Sequence, residues 1–138
     1  MAVNTQFSIA IHILAGLAFC DRDTTSARIA LSVNTSPSFV RRVLAKLSKA
    51  GLVETTTGKS GACRLARSPK SISLLDIHQA VDAPKAFAIH NYTPLKACPV
   101  SCHIKAALDH ALKKTQRAME AALAEMTLAE IVSHVRKK

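Results

Sequence analysis

The sequence predicts a mainly α-helical chain with one small β-hairpin, and three observations carry that expectation. Aromatic residues make up 4% of the 138 and Trp is absent, a composition poor in the residues that sandwich and barrel strands draw on. Apolar residues recur at three- and four-residue spacings through most of the chain, the period of an amphipathic helix. One pair of strand-like runs is joined by Gly58-Lys59-Ser60-Gly61, whose glycines supply positive φ at a hairpin turn. At 49% hydrophobic residues the chain has material for a core, which excludes disorder, and its length suits one compact domain better than two.

The first helix is expected over residues 4–19, capped by Asn4 or Thr5, with Phe7, Ala10, Ile11, Leu14 and Leu17 on its apolar face. The charged residues 21–23 end it. Thr24 or Thr25 caps a short second helix that packs through Ala27, Ile29, Ala30 and Val33 and stops at Asn34. Ser36-Pro37 reads as an N-cap followed by proline at the first helical position, where its missing N–H is no loss. The third helix turns Phe39, Val40, Val43, Leu44 and Leu47 inward and Arg41, Arg42, Lys46 and Lys49 outward, with Gly51 as terminator. Residues 52–57 and 62–67 are the hairpin strands. A fourth helix covers residues 73–82, and residues 84–97, with two prolines and no period, read as a loop. Over residues 99–126 a long helix keeps Ile104, Ala107, Leu108, Ala111, Leu112, Ala118, Met119 and Ala122 on one face. At 1.5 Å per residue it is about 40 Å long, more than a small domain needs to cover itself. Thr127 caps a last short helix bearing Leu128, Ile131 and Val135.

The formal charge is +10 and the pI near 9.9. Residues 1–70 hold ten basic and three acidic residues, a net +7, and the rest hold nine and six, a net +3. Such charge attracts nucleic acid, a membrane surface or an acidic protein alike. The order of elements chooses among them: two short helices, the second basic on its outer face, then a glycine-tipped hairpin, form a winged helix-turn-helix, so double-stranded DNA is the expected partner. Base edges in the major groove are read by side chains near the N-terminal turns of one helix. Ser38, Arg41 and Arg42 are therefore the candidates for base contact. Ser26, Ser36, Lys46 and the wing residues Lys59 and Arg64 are the candidates for phosphates. On an isolated helix the same cations would be an ordinary solvated face; the wing and the local +7 tip the balance to DNA.

No membrane association is expected. The apolar stretch over residues 7–19 is far short of a roughly 20-residue span, and no Lys or Arg precedes Arg22 as a secretory signal would require. The expected location is the cytoplasm. No nucleophile elbow, phosphate-cradling glycine loop or paired carboxylates appear, so an enzyme is not expected. Six histidines lack metal-ligand spacing, and His12, on an apolar helix, reads as a satisfied core residue.

The segments SPSFVRRVLAKLSKAGLV and GKSGACRLARSPKSISLLDIHQAV, the CPV that opens the long helix and TLAEIV near the end resemble the Rrf-two (Rrf2) family of bacterial winged helix-turn-helix transcriptional regulators. The resemblance spans nearly the whole chain and is strongest to the cluster-lacking members, which share the VRR run of the recognition helix. It implies a homodimer paired through the long helix and regulation, here read as repression, at inverted-repeat operators. The chain then divides into a DNA-binding domain over residues 1–83, a connecting loop with a sensor cysteine over 84–98, and a dimerisation helix plus short terminal helix over 99–138. In the wing, Ala62 and Cys63 stand where the family has a second glycine and an aromatic. Iron-sulfur members hold their cluster through three cysteines between the wing and the dimer helix. Only Cys98 falls on such a position, Cys102 is extra, and four ligands are the norm, so no cofactor is expected.

Four cysteines are too few for a disulfide scaffold. Cys98 precedes Pro99 in the N-cap region, where free N–H groups and the helix dipole support a reactive thiol, and Cys102 lies one turn on. A bridge between them, or to Cys20, would need local unwinding. Thiol sensing of a small oxidant or electrophile through Cys98, Cys102 and Cys20 is the reading carried forward, although Cys20 also reads as a small buried hydrophobe. Metal ligation with His90 or His103 stays open. So do a small-molecule- or metal-responsive regulator with incidental cysteines and a non-specific nucleic-acid-coating protein.

Overall fold

Capping chemistry sets most element boundaries. The structure, a computed structural model, describes residues 4–20, 23–56 and 62–137. Helix α1 (Gln6–Phe19) starts where Asn4 Oδ1 accepts the Gln6 N–H at 2.8 Å. Strand β1 (Thr24–Thr25) leads directly into α2 (Ser26–Val33), whose N-cap Thr25 accepts the Arg28 N–H, and Asn34 in the left-handed region (φ 61°) ends it. Helix α3 (Pro37–Lys49) is capped by Ser36 Oγ on the Phe39 N–H at 3.2 Å and released at Gly51, whose φ of +79° suits a residue without Cβ. Strands β2 (Val53–Thr55) and β3 (Ala62–Leu65) are followed by a 3-10 turn (Pro69–Ser71). Helix α4 (Leu74–Ala80) opens on a reciprocal capping box between Ser73 and Asp76, at 2.9 and 3.0 Å. Then come α5 (Pro99–Glu125) and α6 (Leu128–Arg136), the latter capped by Thr127. Each such cap contributes about 1 kcal/mol.

The sheet has three strands in the order β1-β3-β2, both pairs antiparallel. The sequence predicts only the hairpin. Thr25 joins the sheet because an N-cap residue already has extended dihedrals, here φ −102° and ψ 157°, so one conformation serves the helix start and the strand edge. The hairpin turn, with Lys59, lies outside the described residues.

The chain forms two compact units, one of residues 1–83 with 123–138, the other of residues 84–122. In the first, α1 is the axis: Ala10, Ile13, Leu14 and Leu17 pack with Val40, Val43, Leu44 and Leu47 of α3, Ile77 of α4 and Leu128 of α6, all buried. Ile13, absent from the expected apolar face, is buried because it lies three residues from Ala10 and four from Leu17, on the same helical stripe. Ala27, by contrast, is exposed. Helix α6, grouped by sequence with the long helix, belongs to the winged-helix core. Leu128 N–H donates to Ile72 O and Leu74 N–H to Met126 O, both at 2.9 Å, and burying Leu128 contributes about 1.5–3 kcal/mol.

The buried histidine is not the expected His12. His12 is exposed and shares a 3.1 Å hydrogen bond with Ser32 Oγ, whereas His78 is the buried one, edge-on to Phe7 with ring centroids 5.1 Å apart. In the second unit none of the 27 residues of α5 is buried. Residues 84–97 are irregular but anchored: Ala86 N–H donates to Gln116 Oε1 at 3.0 Å, Tyr92 O–H to Ser101 O at 2.6 Å and Leu95 N–H to Ser101 Oγ at 2.8 Å. No helix among the described residues is long and apolar enough to cross a membrane.

Candidate nucleic-acid interface

The apolar spacing of α3 drives Val40, Val43, Leu44 and Leu47 into the core, which leaves Ser38, Arg41, Arg42 and Lys49 exposed on the opposite arc. Two features organise this arc. The Arg42 guanidinium lies over the Phe39 ring, 5.2 Å from its centroid, a cation–π contact that restricts the side chain while leaving its donors free. Arg41 lines a shallow cleft with Ser26 of α2, Ser48 and Lys49 of α3, and Thr55 and Thr56 of the wing edge. Hydroxyls beside the Lys49 ammonium match the donor set that phosphate oxygens accept. Arg41, Ser26 and Lys49 are thus brought together, with Arg42 held separately by Phe39.

The other candidates sit differently. Ser36 Oγ is engaged as the α3 cap. Lys46 is half-buried and its Nζ donates to Gln6 Oε1 at 3.1 Å, which turns it toward α1. Arg64 donates through Nε to Glu54 Oε2 at 3.1 Å, its neighbour across the hairpin. Lys49 and Thr56 are members of the cleft that sequence reasoning left unassigned, although Lys49 follows Arg41 by eight residues and so shares its face.

The cysteines divide by environment. Cys98 is half-buried at the start of α5, where its Sγ accepts the Ser101 N–H at 3.4 Å. Cys102 is exposed, with Sγ 3.5 Å from Leu95 O. Cys20, expected as a buried hydrophobe, is exposed at the end of α1, where Leu17 is the last buried residue. The buried thiol is Cys63, 3.3 Å from Thr24 O, and burial, aided by the nearby Asp23 carboxylate, pushes its pKa up.

Residues 3–134 match the family described as Rrf2, iron-dependent transcriptional regulator. The HTH-type transcriptional regulator YwnA of Bacillus subtilis is 40% identical over 134 residues, covering 96% of this chain and 98% of that protein. A crystal structure described as a DNA-binding protein superposes with a TM-score of 0.74 at 37% identity, over 91% of this chain and 97% of that one. The structure of CymR, the global cysteine regulator of B. subtilis, shares the fold, with a TM-score of 0.69 at 20% identity over 97% and 98% of the two chains. These relatives are regulators, not enzymes.

The family's iron dependence implies a cluster or metal site, and the donor set here does not fit one. Residues 84–122 contain Cys98 and Cys102 as their only cysteines, among the described residues no three His, Cys, Asp or Glu side chains converge, and a cysteine-bound cluster takes about four ligands. With a winged helix-turn-helix, a cationic arc on its recognition helix and a match over almost its full length, this chain belongs to the Rrf2 family of DNA-binding transcriptional regulators.

Proposed function

We propose that the protein is a cytoplasmic repressor that binds an inverted-repeat operator as a homodimer, carries no resident iron-sulfur cluster, and responds to oxidants or electrophiles through Cys98 and Cys102. The observation that carries the DNA reading is the arc of α3: Arg41, Arg42 and Lys49 have no ion-pair partner among the described residues. Support for the dimer comes from α5, whose Ala107, Ala111, Ala118 and Ala122 form an exposed small-residue stripe on a helix too long to serve one small domain. Two recognition helices in one dimer reach half-sites about one DNA turn, roughly 34 Å, apart. Support for the signal comes from the cap: a thiol that accepts an α5 N–H cannot be enlarged or bridged without disturbing the first turn of that helix.

The test is binding of the chain's own upstream promoter by reduced and oxidised protein across a salt series. A regulator favours its operator over random duplex by several kcal/mol and loses affinity on oxidation. Equal affinity for both duplexes identifies a nucleic-acid-coating protein instead. Unchanged affinity after oxidant treatment, or a full response retained by the Cys98→Ser, Cys102→Ser protein, makes the cysteines incidental.

A further inference from the structure

Residues 84–89 run beside α5 and enclose with it a half-open cavity of about 520 Å³, within the roughly 300–1,000 Å³ of small-molecule sites. Its walls are apolar, built from Pro84, Phe87, Ala88, Ile89 and Leu112, and its rim is charged, with Lys85, Lys113 and Arg117 against Asp109 and Glu120. Three cations face two carboxylates, a net +1. Lys113 Nζ lies 2.9 Å from Asp109 Oδ2, and that hydrogen bond, with the further charges of Lys85 and Lys105, holds the Asp109 carboxyl below its usual range. Glu120 Oε1 accepts from Gln116 Nε2 at 3.3 Å. Among the described residues Lys85 and Arg117 have no ion-pair partner. The cavity therefore has positive charge to spare at its mouth.

Two further features favour a preformed site for a small ligand. Gln116 Oε1 accepts the Ala86 N–H at 3.0 Å, which ties the outer wall to the helix. Phe87 is 59% exposed beside the cavity, an apolar ring that an occupant would cover. The site is also separate from the small-residue stripe. At 100° per residue, the α5 residues lining the cavity centre about 180° around the helix from Ala107, Ala111, Ala118 and Ala122, so a helix paired through the stripe keeps the cavity open.

We propose that this cavity binds a small amphipathic monoanion: a planar apolar body against Phe87 and Leu112, bearing one carboxylate that meets Lys85 and Arg117. Binding itself is independent of the DNA reading; only its role as an effector site rests on that reading.

The test uses the full chain without DNA. The fluorescent probe 8-anilinonaphthalene-1-sulfonate is titrated in and displaced by 1-naphthoate or by its neutral counterpart 1-naphthamide. The expected result is saturable binding of one probe per chain, displacement by naphthoate at least tenfold better than by naphthamide, at least tenfold weaker naphthoate binding in Arg117→Glu, and loss of the site in Ala88→Trp with an unchanged thermal midpoint. Non-saturable binding, equal displacement by acid and amide, or indifference to both variants overturns the proposal. So does expulsion of the probe at rising protein concentration, which assigns the cavity to a second copy of the chain. Operator preference of the ligand-free protein is measured separately, so failure of the DNA reading is not confused with failure of the site.

Discussion

Replacing Glu54 with alanine is expected to strengthen binding to every duplex. Glu54 and Arg64 face each other across β2 and β3 at 3.1 Å, with side chains 56% and 63% exposed. An exposed pair of this kind contributes only about 0.2–1 kcal/mol to stability, so the fold survives its loss. What changes is the charge offered to DNA: paired, Arg64 presents no net charge, and without Glu54 the wing gains one cation per chain. Each cation that neutralises a phosphate steepens the dependence of log K on log salt by about 0.9. The slope should therefore steepen by about 0.9 per chain and about 1.8 in the proposed dimer. Between about 50 and 200 mM salt the variant should lose about 3.5-fold more affinity per chain than the parent, or about 12-fold more as a dimer. Fluorescence anisotropy on a random duplex, with Arg64→Ala and the double variant beside it, reads this directly. An unchanged slope in Glu54→Ala together with a full-unit loss in Arg64→Ala would refute the reasoning, because Arg64 would then reach phosphate with Glu54 in place.

Arg41→Ala should cost about 1–3 kcal/mol on the operator and relax its sequence preference, whereas Lys49→Ala should weaken all duplexes alike and flatten the salt slope by about 0.9 per chain; equal losses from both on operator and random DNA would sink that division. Leu128→Ala, at a fully buried position, should cost about 2–5 kcal/mol. At about 2.1 cal/mol/K of unfolding entropy per residue, that lowers the melting midpoint by roughly 7–17 °C, and a drop of under about 2 °C by circular dichroism would remove α6 from the core. Cys63 should resist a bulky thiol reagent in the native protein while the exposed Cys20 and Cys102 react. Because its native pKa is raised from the ordinary 9.0 by burial, the folded state holds a proton that the unfolded chain releases. Stability should thus be intact below pH 9.0 and fall as pH rises through the native value. Denaturant melts across that range should lose this alkaline decline in Cys63→Val.

Helix starts were legible because they are local chemistry. Thr25, Ser36, Ser73 and Thr127 each accept an N–H two or three residues on, and Pro37 and Pro99 occupy first helical positions where no donor is missed. The hairpin strands were legible for the same reason. What escaped depends on partners distant in sequence. Strand β1 exists only because β3 lies beside it. Helix α6 carries the same amphipathic signal whether it covers α5 or, as it does, α1. His12 and His78 both sit on helices, and the tertiary packing around each, with Phe7 edge-on to His78, decides which is buried. Cys20 is exposed where a buried hydrophobe is expected, and Cys63 is the buried thiol, because thiol burial follows the fold around it, which composition does not encode.

The same distinction bears on the charge. Within α3 and residues 62–67, the described cations are Arg41, Arg42, Lys46, Lys49, Arg64 and Arg67. Lys46 is held by Gln6, Arg64 by Glu54, and Arg67 by the Ser71 carbonyl with Asp76 Oδ2 at 3.8 Å. The remaining three, Arg41, Arg42 and Lys49, share the outer arc of one helix. A net +7 over residues 1–70 is a diffuse attraction; after internal pairing it becomes a row of free cations along the element that fits a major groove. In the proposed docking, affinity and sequence reading fall on the same helix, and the exposed pair at the wing restrains general affinity, since the Glu54 carboxylate offsets the charge of Arg64.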